Sequence, residues 1–79
     1  MQGSVQSSIE ELSLRAYRVE AEAGRRGSGD IAETARWLQG FLEGILELWQ
    51  RYGWSREIGE MLSTAERILG LLERRLGQT

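Results

Sequence analysis

The sequence predicts an all-α protein folded as an antiparallel three-helix bundle. Three observations carry this. Apolar residues recur at spacings of three and four along three segments. Glycine-rich breaks separate those segments, and the alphabet is rich in the strong helix formers Glu, Arg, Leu and Ala. The chain is expected to be one helical-bundle domain over 1–79, with helices at about 8–24, 30–52 and 55–76.

The first helix is predicted to start at Ser7 or Ser8. Ser7 with Glu10, and Ser8 with Glu11, each spell a capping box, in which hydroxyl and carboxylate satisfy free backbone N–H groups reciprocally. The start can move back to Ser4, because Val5 already fits the apolar stripe. That stripe continues through Ile9, Leu12, Ala16, Val19 and Ala23. Gly24 offers a left-handed stop, and Arg25 and Arg26 suit the negative end of the helix dipole.

Gly27-Ser28-Gly29 reads as a connector, and Asp30 with Glu33 as the next capping box. The second helix carries one stripe of Ile31, Ala35, Leu38, Leu42, Ile45, Trp49 and Tyr52. A second stripe runs beside it: Trp37, Phe41, Gly44 and Leu48. Gly53 breaks this helix and Ser55 caps the third. So short a connection makes helices two and three antiparallel neighbours. The third helix has Ile58, Leu62, Ala65, Leu69, Leu72 and Leu76 on one face, widened by Met61, Ile68 and Leu71. Arg74 and Arg75 complement its end. Glu11–Arg15, Glu22–Arg26 and Glu47–Arg51 are four-residue ion pairs in the better orientation, worth ~0.2–0.5 kcal/mol each.

Composition excludes whole classes of chemistry. Without cysteine there is no disulfide and no thiolate metal site; without histidine the commonest general base and metal ligand is gone. No cofactor and no metal is expected. A formal charge of −2 creates no basic field for nucleic acid or an anionic membrane. No apolar run reaches the ~20 residues that span a bilayer, and Met1-Gln2-Gly3-Ser4 does not read as a signal peptide. A soluble chain is expected. The glutamates fall on the polar side of each stripe rather than in a facing pair, and no serine has a base partner, so no enzyme is expected. Gly24 to Gly29 lacks the spacing and the Lys of a phosphate loop. No small-molecule substrate is indicated.

Two features stand apart. Gly40, Gly44, Gly59 and Gly70 lie inside helices, each at a cost of ~1 kcal/mol relative to Ala. Close packing within the bundle is the favoured explanation; otherwise Gly40-x-x-x-Gly44 would let another helix approach the backbone. The second stripe of helix two is either core or an aromatic patch for a protein partner. We expect burial of at least part of it, because so short a chain needs large apolar side chains in its core. If it is not buried, Trp37, Phe41, Gly44 and Leu48 are the candidate protein-contact residues, against a protein partner or a second copy in a homodimer.

Lys, Asn, His, Pro and Cys are all missing, and only about 2 in 100 random chains of this length would lack Pro. With caps, stripes, ion pairs and breaks in agreement, the chain resembles de novo designed three-helix bundles. That resemblance implies a protein without catalytic activity, serving as a folding scaffold or a protein-binding module. Two local stretches have other likenesses. Trp54-Ser55-Arg56-Glu57-Ile58-Gly59, with Leu62, Ala65 and Leu69, resembles the death-motif helix of pro-apoptotic Bcl-family ligands. Glu66 and Arg67 stand where that motif has a small residue and Asp. Leu38-Gln39-Gly40-Phe41-Leu42-Glu43 is similar to a piece of a helix in the granulocyte colony-stimulating cytokines. These likenesses imply an alternative, an engineered receptor-binding mimic or helical binder using helix two or three. A natural small adaptor or regulator from a high-GC bacterium is a further alternative.

Overall fold

A computed structural model describes residues 2–78, with side chains from residue 5 onward. Met1, with which the N-terminal reading above begins, and Thr79 lie outside the described residues. Three helices follow one another: α1 (Gln2–Arg25), α2 (Gly29–Tyr52) and α3 (Arg56–Gly77), with all three pairs in contact. The bundle is elongated, 39 × 17 × 16 Å.

The helix ends differ from expectation in instructive ways. α1 begins at Gln2, so Ser7 and Ser8 lie inside it and cannot cap it. Its stop is not Gly24 but Gly27, the residue with positive φ (74°). Ser28 N–H donates to Ala23 O at 2.8 Å and Gly27 N–H to Gly24 O at 3.3 Å. That nested pair is a Schellman closure, which needs a left-handed residue just past the helix. The cap of α2 is Ser28 rather than Asp30, and Ser28 caps without a side-chain bond. Asp30 sits in the first turn, where its charge suits the positive end of the dipole, and accepts from Ile31 N–H at 2.9 Å. Ser55 caps α3 as expected, its hydroxyl accepting from Ile58 N–H at 3.3 Å. Gly53, with φ 80°, turns the chain between α2 and α3.

One core runs through all three helices. Ile9, Leu12, Ala16, Val19 and Ala23 of α1 meet Ile31, Ala35, Leu38, Leu42 and Ile45 of α2, with Ile58, Ala65, Leu69 and Leu76 of α3. Every one of these was on a predicted stripe. Other stripe residues lie at its margin: Val5, Trp49, Met61, Leu62, Ile68 and Leu72 are half-buried against it, and Tyr52 and Leu71 are exposed.

Polar ties reach from α1 to both neighbours. Glu20 accepts from Arg36 (2.9 Å) and Gln39 (2.7 Å) of α2. Arg15, expected to pair with Glu11, instead spans to Glu73 of α3. Glu22 pairs with both Arg25 and Arg26, and Glu47 with Arg51 at 3.6 Å. Arg26 also donates to Leu76 O at 2.7 Å, supplying a donor to the last turn of α3.

Close packing does not explain the interior glycines of α2. A β-carbon at Gly40 or Gly44 would meet nothing within 4 Å. Gly59 alone is overlain, by the indole of Trp54. Gly70 is also open, and nothing in the structure explains it.

Candidate protein-contact site

The site is built by helical phase. Successive residues turn ~100° about an α-helix. The core sector of α2 is centred on Leu38, Leu42 and Ile45, all essentially inaccessible. Trp37 lies about one residue step from that sector, Phe41 and Leu48 somewhat nearer its edge. α1 covers the opposite flank, through Glu20 with Arg36 and Gln39. α3 covers the core sector but stops short of Trp37.

The expected burial of the second stripe is therefore realised only in Phe41, which is half-buried against the core. Trp37 is 57% exposed and Leu48 40%. The two aromatic rings, one turn apart, lie face to face with centroids 5.4 Å apart and planes 9° from parallel. Stacking of this kind adds ~0.5–1.5 kcal/mol beyond burial and holds the exposed indole in one orientation. One turn on, Gly44 leaves a bare stretch of backbone between Phe41 and Leu48.

The structure thus brings Trp37, Phe41, Gly44 and Leu48 onto one face. It adds residues that pattern alone missed. A groove of about 410 Å³ opens between α2 and α3, lined by Phe41, Gly44, Leu48 and Tyr52 with Met61 across from them. Tyr52 keeps the three–four spacing of the core stripe, but it falls in the last turn of α2 and is 74% exposed at the groove mouth. Met61 was assigned to the width of α3, and its place on the groove wall depends on the rotation of α3, which spacing does not determine. Glu47 and Arg51 form the rim.

The face is aromatic and aliphatic. Among the described residues, no three carboxylates gather to hold a metal ion. No described helix is long and apolar enough to cross a membrane. What the face offers is flat aromatic area, a notch, and a charged rim, the parts from which protein contacts are made.

The two local likenesses fare differently in position. Of the death-motif positions, Ile58, Ala65 and Leu69 are buried in the bundle's own core, and Leu62 is half-buried. In the cytokine-like stretch, Leu38 and Leu42 are core while Phe41 reaches the groove. The fold and site define a three-helix bundle with an aromatic face on its middle helix. No protein-family model, curated protein or solved structure matches the chain.

Proposed function

We propose that this chain is a designed, non-catalytic helical-bundle module that binds protein through the outer face of α2. The observation that carries the reading is the exposed indole of Trp37, stacked on the half-buried ring of Phe41 beside the bare backbone of Gly44. Large exposed aromatic side chains of this kind are characteristic of interface anchors. The glycine is unfavourable for the helix by ~1 kcal/mol and relieves no contact within the chain, which fits close approach by a partner at this point. The designed origin rests on the restricted alphabet and on apolar stripes at three–four spacing in all three helices.

The test is selection from a displayed library of amphipathic helical peptides against the immobilised chain. Helix-in-groove recognition predicts binders that use apolar anchors one turn apart. Those binders should lose affinity on Trp37→Ala and on Gly44→Leu while the circular dichroism spectrum stays helical. A library that yields no binders, or binders indifferent to both changes, would leave a folding scaffold and refute the binding module.

A further inference from the structure

Glu33 and Arg51 are both exposed and lie about five turns apart on α2, at ~3.6 residues per turn, so they share one azimuth beside the aromatic stripe. They carry opposite signs at opposite ends. Glu57 and Arg75 repeat the pattern on α3. Both are exposed, about five turns apart, on the flank beside the groove residue Met61. A two-fold axis perpendicular to α2, passing between Leu42 and Glu43, brings Glu33 of one copy within one residue's rise, ~1.5 Å, of the level of Arg51 of the other, twice. A parallel pairing would instead oppose Glu33 to Glu33 and Arg51 to Arg51.

The apolar stripe obeys the same operation. About that axis Phe41 comes level with Gly44 of the second copy, and Trp37 with Leu48. The bulkiest part of the face, the stacked indole and phenyl rings, thereby meets the bare backbone and the medium-sized aliphatic group. An isologous interface requires this reciprocity, in which each patch is complementary to itself after rotation.

We infer that the chain forms an antiparallel two-fold dimer through α2, with Phe41 seated over Gly44 of the second copy and Glu33–Arg51 pairs at each end. This deepens the binding-module reading and rests on it. The contact extends over the ~27 Å from Glu33 to Arg51, at ~1.5 Å per residue. The loose intrahelical pair of Arg51 with Glu47, at 3.6 Å, leaves the guanidinium free to reorient toward a carboxylate across the seam.

The test is a charge exchange read by sedimentation equilibrium of the full chain, from low micromolar to millimolar. The unaltered chain should approach twice its 9.0 kDa mass. Glu33→Arg alone, or Arg51→Glu alone, sets two like-charge contacts in each dimer and should weaken association about tenfold or more. The double change Glu33→Arg with Arg51→Glu restores opposite charges and should recover the affinity to within about threefold. Both positions are exposed, and unchanged helical spectra will show that the variants fold. A chain that stays monomeric throughout, a dimer indifferent to both single changes, or a double variant no better than the singles would overturn the inference. Peptide binders that still depend on Trp37 in a monomeric chain would overturn the dimer and leave the binding face standing.

Discussion

Arg15 of α1 grips Glu73 of α3 at two points: Nη2 donates to one carboxylate oxygen at 2.7 Å and Nε to the other at 3.2 Å. The fork geometry is good, and the Glu73 carboxylate raises the Arg15 pKa above its ordinary value. The side chains nevertheless keep 31% and 39% of their exposure, so water and salt screen the pair. A double-mutant cycle over Arg15→Ala and Glu73→Ala should give a coupling near the top of the ~0.2–1 kcal/mol range for exposed pairs. Urea melts at low and high salt check this. A coupling that does not shrink in salt would contradict a screened pair.

Trp37 should tolerate truncation where its neighbour does not. Trp37→Ala is expected to lower stability by less than ~1 kcal/mol at concentrations where the chain is monomeric, well below the ~3–5 kcal/mol typical of a buried aromatic. Leu42→Ala, at a position without accessible surface, should cost ~2–5 kcal/mol. Thermal and denaturant unfolding of the two variants side by side will show whether this order holds.

That contrast marks what pattern could reveal. The fold was legible because each buried residue sits on a three–four stripe, and burial in a bundle follows helical phase. The site was legible as a set of residues, since Trp37, Phe41, Gly44 and Leu48 share a face by spacing alone. Its exposure was not legible. Whether a second stripe is covered depends on how far α3 wraps around α2, and that is decided by interhelical packing angles that no single segment encodes. The start of α1 was hidden for a related reason. Ser7 and Ser8 satisfy a capping pattern, but a helix that can continue through Val5 gains hydrogen bonds and packing by doing so.

The interior glycines should separate under substitution by alanine. Gly40→Ala and Gly44→Ala enter open space and should each stabilise the monomer by up to ~1 kcal/mol through helix propensity. Gly59→Ala should gain less. Its β-carbon would stand 2.9 Å from Cη2 of Trp54, so the indole must swing aside before the benefit is realised. Equal stabilisation at all three sites would show that the Trp54 contact carries no cost.

Acid should loosen the α1–α2 seam at Glu20. Hydrogen bonds from Gln39 and then Arg36 hold its carboxyl below the ordinary 4.5. A carboxylate whose folded value is depressed adds stability above its unfolded value, and that contribution disappears as pH falls through the folded value. Side-chain carboxyl shifts followed by NMR should place the Glu20 midpoint below 4.5. Gln39→Ala and Arg36→Ala should each raise it, because each removes a hydrogen bond to the carboxylate. A Glu20 midpoint unmoved by either change would contradict this assignment.

The bond from Arg26 to the Leu76 carbonyl joins two segments that are far apart in sequence. The same guanidinium donates to Glu22 at 2.8 Å, so one side chain links the end of α1, the turn after it and the final turn of α3. Frayed helix ends ordinarily open independently, with little free energy. Here the closing turn at Gly27 and the C-terminal turn of α3 are fastened by a common rivet, and their amides should exchange with solvent as one unit. Removing it with Arg26→Ala should quicken exchange at both places, leaving the amides around Leu42 protected until the whole bundle opens.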